Sequence, residues 1–214
     1  PLTWGYIVGE IAQRAAERSV GTILREEICA PHGIDFQLGT PESEHHRAAE
    51  MKKPSRVADF GEITPARKAA FFSPWSAPQR GSTQWRKIEI PSANGHATAL
   101  AVARLYELYA TGGEIGGERI LSPGGFAALT ERHFVGADLV LPFEVDWRRG
   151  VMANSNRFYG PNAEAFGHSG AGGSCGFGDP KTGVAVGYVM SKHSHYVAGD
   201  PRSLRLIDAL YGCL

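Results

Sequence analysis

Residues 166–174 (FGHSGAGGS) put one imidazole, two hydroxyls and four glycines into nine positions. Small residues let a substrate come close to the backbone. Amides on such a stretch can face a developing oxyanion, which is a strong catalytic device. The same composition also suits a glycine-rich strand edge with a satisfied histidine. Adjacency alone does not make His168 and Ser169 a base–nucleophile pair, because neighbouring strand residues point to opposite faces.

Three other patterns invite a catalytic reading. Gly167-His168-Ser169-Gly170 starts like a G-x-S-x-G nucleophile elbow, but the fifth residue is Ala171. An elbow also needs a strand before it and a helix after it, whereas Tyr159-Gly160-Pro161-Asn162 precedes and a hairpin follows. Lys181-Thr182-Gly183 spells a K-T-G triplet, which acts only on a strand facing a nucleophile. Preceded by Asp179-Pro180, it reads as a turn between two strands. His45-His46 and His193-x-His195 bring no evident third ligand, so no metal and no cofactor is expected. No serine is followed by lysine three positions later, so an S-x-x-K nucleophile motif is absent from the 214 residues.

Bulk properties narrow the classes further. There are 22 Lys and Arg against 22 Asp and Glu, and no basic run exceeds two residues. Such a surface lacks the field that holds nucleic acid or an anionic membrane. No apolar stretch reaches roughly eighteen residues, so no membrane span is expected. A 43% hydrophobic content can fill a substantial core. Cys29, Cys175 and Cys213 stand singly, which fits small buried apolar residues and a reducing compartment. The chain opens on Pro1 with a helical pattern almost at once, as a section of a longer protein would.

These residues need elements to hold them. A helix is expected over 3–18, with Thr3 as cap and Ile7, Ile11 and Ala15 on one face. Another runs over 20–29 and stops at Ala30-Pro31. Gly33 and Gly39 punctuate a turn-rich link, and a short helix starts at Pro41 toward Glu50. Residues 52–91 are the least regular. Pro54, Pro65, Pro74, Pro78 and Pro91 surround Trp75 and Trp85, as in a functional loop or a surface excursion. Residues 97–111 form the clearest helix, ended by Gly112-Gly113, and Ser122-Pro123 opens another. Strands follow at 135–140, 150–153, 165–168, 172–177 and 184–190, the last two joined by a hairpin turn at 178–183. Asp200-Pro201 begins a closing helix with Leu204, Ile207 and Leu210 on one face. Helices, an antiparallel meander and a final helix make an α+β order.

Three segments, in this order along the chain, resemble the β-lactamase-related serine hydrolases, which include class C β-lactamase-like proteins and family VIII carboxylesterases. Residues 2–11 (LTWGYIVGEI) resemble the helix that follows the family's second motif. Residues 91–96 (PSANGH), leading into 97–108, resemble the loop and helix after its variable insert. Residues 166–191 resemble its third-motif hairpin, with H-S-G where penicillin-binding enzymes have K-T-G. The resemblance implies a β-lactamase/penicillin-binding transpeptidase-like antiparallel sheet flanked by helices. Residues 1–214 would be the C-terminal part of that single domain, incomplete at the N-terminal side. It implies a serine hydrolase acting on a small-molecule ester or amide through an acyl-enzyme, with catalytic Ser, Lys and Tyr before Pro1. Tyr6 lies inside its helix and does not replace that Tyr. His168, Ser169, Gly170, Ala171 and Asn94 would bind substrate, and the Ala171 N–H would form half of an oxyanion hole. His168 would hydrogen-bond the substrate or the catalytic Tyr. A neutral imidazole in place of an ammonium favours esters over β-lactam carboxylates. A non-catalytic protein of the same fold and an acyltransferase are the alternatives.

Overall fold

The computed structural model describes residues 2–73 and 80–214, so Pro74, Trp75 and Pro78 of the proline-rich stretch lie outside the described residues. The chain divides into two compact units. One comprises Pro1–Met51 and Ile63–Thr98, the other Lys52–Glu62 and Ala99–Leu214.

The first unit opens with α1 (Thr3–Ala16). The expected Thr3 cap does not form: Leu2 is already helical and no side chain caps the helix. The expected apolar face is also not the packing face. Ile7 and Ile11 are 56% and 65% exposed, and the buried positions are Gly5 and Gly9. Helical periodicity marks which face is apolar, but close approach is made where side chains are missing. Gly5 N donates to Ser92 Oγ at 2.9 Å across that bare face. Next, α2 (Val20–Ile23) runs on as a π-helix, Leu24–Cys29, and stops at Ala30. The Glu89 carboxylate accepts from Ser19 Oγ at 2.7 Å and from Gly21 N at 2.8 Å, placing an anion where the helix dipole favours one. A two-stranded ladder joins β1 (Phe36–Gln37) to β2 (His96–Ala97). The unit also holds a 3-10 helix at Glu42–Arg47, α3 (Pro65–Phe71) and α4 (Thr83–Lys87). The proline-rich stretch is therefore more regular than its composition suggests. Pro65 sits in the first turn of α3, where its missing N–H costs nothing.

The second unit holds the sheet. It begins with α5 (Ala99–Ala110), which stops at Gly112 and Gly113, both at positive φ. A small hairpin, β3 (Glu114–Ile115) with β4 (Glu118–Arg119), leads to α6 (Pro123–Thr130), capped by Ser122 as expected. Six antiparallel strands then pair in chain order: β5 (Phe134–Ala137), β6 (Glu144–Trp147), β7 (Met152–Ala153), β8 (Phe166–Ser169), β9 (Cys175–Asp179) and β10 (Val184–Tyr188). Strand β6 is not among the expected strands. The closing helix is α7 (Pro201–Tyr211).

Strand β9 is covered on both faces. A Cβ at Gly176, Gly178 or Gly187 would run into Tyr106, Ala110 or Ala99, so bare strand positions let α5 lie directly on β9 and β10. On the alternate face Phe177 and Cys175 pack with Met152, Tyr159 and Ile207 of α7. Cys29 and Cys175 are buried as expected, but Cys213, beyond the end of α7, is exposed.

Candidate active site

Strand alternation sets the side chains of the H-S-G segment. Gly167 is buried, His168 is exposed and Ser169 is half-buried. His168 Nδ1 lies 2.9 Å from the Ser169 carbonyl oxygen, an acceptor only, so Nδ1 carries the proton and donates. Nε2 is left with its lone pair. The Trp147 ring lies 5.8 Å from the imidazole, centroid to centroid, and is tilted 31° to it. Trp147 is held in turn by donating Nε1–H to Asp138 Oδ2 at 3.2 Å. The surrounding protein mass holds the His168 pKa below the ordinary histidine value, with the Ser169 carbonyl working in the opposite direction. The residue as a whole is nevertheless exposed to solvent. His168 is therefore a neutral imidazole at pH 7, presenting an acceptor.

The Ser169 hydroxyl does not meet that acceptor. Its Oγ is 3.5 Å from the Tyr159 hydroxyl, at the outer limit of a hydrogen bond. Tyr159 is buried and stacked on Phe177 at 5.7 Å, and burial raises its pKa well above the ordinary phenol value. Cys175, opposite Ser169 in the ladder, has its thiol pushed up to about 11 by burial. A protonated phenol and a protonated thiol activate no nucleophile.

The following turn differs in character. Gly170 N donates to Ser174 O at 2.7 Å, Gly172 N to Tyr196 O at 3.2 Å and Gly173 N to Gly170 O at 3.1 Å. Ala171 N–H has no protein acceptor among the described residues, and Ala171 is exposed. Of the four consecutive amides 170–173, three are bonded and that of Ala171 is left without a protein acceptor among the described residues. Gly172 and Gly173 have φ of 102° and 116°, conformations that a side chain rarely tolerates. A Cβ on Gly172 would strike the His193 ring, and one on Gly173 would strike the Asp200 carboxylate. The glycines are thus needed for the turn that holds Ala171.

Asn94 and the patterns set aside as non-catalytic make bonds within their own neighbourhoods. Asn94 is 2% exposed. Its Oδ1 accepts from Ile90 N at 2.8 Å, and its Nδ2 donates to Trp85 O at 2.6 Å and Ile88 O at 2.7 Å. Its side-chain amide thus closes its own loop. Lys181-Thr182-Gly183 is a turn between β9 and β10, and Thr182 Oγ1 donates to Asp179 Oδ2 at 2.9 Å. His45 Nε2 and His46 Nδ1 contact the Thr40 and Ser43 carbonyls at 3.0 and 2.8 Å. Asp200 and Arg202, which brace the turn from α7, were not anticipated. They lie some thirty residues beyond it, and no local spacing links them to it.

The family model described as Beta-lactamase matches residues 2–209. Esterase/beta-lactamase LipL of Mycobacterium tuberculosis is 32% identical over 207 residues, covering 89% of this chain and 47% of LipL. A penicillin-binding protein homolog from Caulobacter crescentus superposes with a TM-score of 0.96 at 53% identity, covering 100% of this chain and 58% of that one. A family VIII carboxylesterase superposes with a TM-score of 0.85 at 37% identity, covering 97% of this chain and 56% of that one. The chain thus spans about half the length of these relatives. Its helix-covered antiparallel sheet is the β-lactamase/penicillin-binding fold. With the match running from Leu2 almost to the end of α7, this chain belongs to the β-lactamase family.

Proposed function

We propose that this chain is the oxyanion-binding, C-terminal portion of a serine hydrolase that cleaves a small ester or amide through an acyl-enzyme. The observation that carries the reading is the exposed Ala171 N–H, which has no acceptor among the described residues while the amides of Gly170, Gly172 and Gly173 around it are engaged. In the complete protein a Ser–Lys–Tyr set supplied outside these residues attacks the substrate carbonyl. The Ala171 N–H and the nucleophile's own N–H donate to the oxyanion. Collapse expels the alcohol or amine, which takes a proton from the base, and water then releases the acid. Ser169 and Gly170 line the wall beside the acyl group. His168, neutral with a free Nε2 lone pair, accepts a hydrogen bond from the substrate or the catalytic Tyr. A neutral acceptor gives an anionic substrate no fixed positive charge, which favours esters. The name of the family VIII carboxylesterase accords with that preference, while LipL is named as both an esterase and a beta-lactamase.

The test compares the complete protein with this chain. The complete protein should hydrolyse p-nitrophenyl acetate and be labelled by a fluorophosphonate, and this chain alone should do neither. His168→Ala in the complete protein should lower kcat/KM on the order of tenfold to a hundredfold. Labelling of the isolated chain, or full activity of the His168→Ala variant, would overturn the reading.

A further inference from the structure

Arg202 stands on the first turn of α7, directly behind the oxyanion turn. Asp200 caps the helix, its Oδ1 accepting from Arg202 N at 2.8 Å. The same buried carboxylate grips the guanidinium, taking Nη2–H at 2.6 Å and Nε–H at 3.1 Å on each oxygen. That grip fixes the plane of the fork, and its remaining donors reach two backbone carbonyls. Nη1 donates to Lys192 O at 2.8 Å and Nη2 to Gly172 O at 3.2 Å. Gly172 O also takes Ser194 N at 2.8 Å, and Gly172 N donates to Tyr196 O. Both peptide groups of Gly172 are thereby tied to residues 192–196, immediately beside the free Ala171 amide.

We infer that Arg202, anchored by Asp200, is a positioning residue that holds the Ala171 N–H on the oxyanion. It touches no substrate. It acts through the Gly172 carbonyl, and the inference rests on the acyl-transfer reading above. Gly172 and Gly173 lack side chains that would restrict their backbone, so the Ala171 peptide is held by hydrogen bonds alone: Gly173 N on Gly170 O on one side and the ties on Gly172 on the other. A shift of about 1 Å at a reacting group costs on the order of a hundredfold in rate. Lysine keeps the charge facing Asp200, but one ammonium cannot reproduce a planar fork shared among a carboxylate and two carbonyls.

Arg202→Lys in the complete protein is the direct test, with two readouts. The first is amide hydrogen exchange. Gly172 and Ser194 should exchange at least about tenfold faster than in wild type, while Phe177 in β9 is unchanged. The second is catalysis. The acylation rate with p-nitrophenyl acetate should fall on the order of tenfold to a hundredfold, with KM within about twofold. A boronic acid, whose tetrahedral adduct places an oxygen on the same amide, should weaken by a similar factor. Asp200→Asn keeps the capping oxygen and loosens the guanidinium, so it should shift both readouts the same way by less. It serves if Arg202→Lys does not fold. A wild-type protein that is never acylated overturns the hydrolase reading and this inference with it. A wild type that acylates normally, with Arg202→Lys matching it in both readouts or losing only KM, overturns the positioning role alone.

Discussion

The Tyr211 hydroxyl donates a 2.6 Å hydrogen bond to Asp179 Oδ2, joining the last turn of α7 to the end of β9. The same carboxylate accepts from Asn162 Nδ2 at 2.7 Å, Thr182 Oγ1 at 2.9 Å and Lys181 N at 3.0 Å. Asp179 is fully buried, so its removal leaves a cavity and takes the shared acceptor from four donors. Asp179→Ala should therefore cost about 3 kcal/mol or more, and Tyr211→Phe about 1 kcal/mol. Urea unfolding of the chain measures both, and an unchanged midpoint for Asp179→Ala would refute the hub.

Acid should attack this hub and the α7 cap together. Burial alone would raise the Asp179 pKa, but its donors outweigh burial and hold the carboxyl below its ordinary value. At Asp200 burial is likewise outweighed, there chiefly by Arg202. A carboxyl whose folded-state pKa is depressed contributes stability that is complete above its unfolded pKa, about 3.9, and drains as pH falls through the folded value. From these two groups stability should be flat between about pH 7 and 5 and fall below about pH 4. Asp179→Asn should be less stable at neutral pH and show a shallower acid limb. Unfolding midpoints taken across that range decide, and parallel curves would contradict the assignment.

Tyr159 separates packing from hydrogen bonding. Its ring fills the core beside Phe177 and Phe158, while among the described residues its hydroxyl makes only the 3.5 Å contact to Ser169. Tyr159→Phe should cost under about 1 kcal/mol, whereas Tyr159→Ala should cost about 3–5 kcal/mol through the cavity it leaves. A large loss on Tyr159→Phe would mean that the hydroxyl contact is much stronger than its length implies.

Features governed by local rules are legible in the order of the residues. Proline, glycine and capping residues mark α6, α7 and the 179–183 turn, and strand alternation separates His168 from Ser169. What stays hidden depends on partners far along the chain. Nothing near Arg202 announces the Gly172 carbonyl, and nothing near Asp179 announces Tyr211. The α1 pattern identifies an apolar face but cannot say that the bare Gly5 and Gly9 side is the one that packs. Asn94 looks available because it stands in a loop. Yet a side-chain amide in a tight loop finds backbone partners readily, and that is where its bonds go. β6 alternates polar and apolar residues, but two of its four are acidic, Glu144 and Asp146, a composition that strands disfavour.

His168 offers a direct check on the site's electrostatics. Its Nδ1–H is held by the Ser169 carbonyl, so imidazole 15N shifts at pH 7 should report a protonated Nδ1 and a bare Nε2. Desolvation penalises the cation, so the titration midpoint should lie below about 6.5. Trp147 covers one side of the ring. Trp147→Ala should let water in and move the midpoint upward, toward the ordinary value. In the complete protein any activity lost by protonating His168 should then appear only on the acid side of that midpoint, leaving kcat/KM level from about pH 7 to 8. A wild-type midpoint at or above the ordinary value, or an unmoved midpoint in Trp147→Ala, would show that the surrounding protein mass does not control this imidazole.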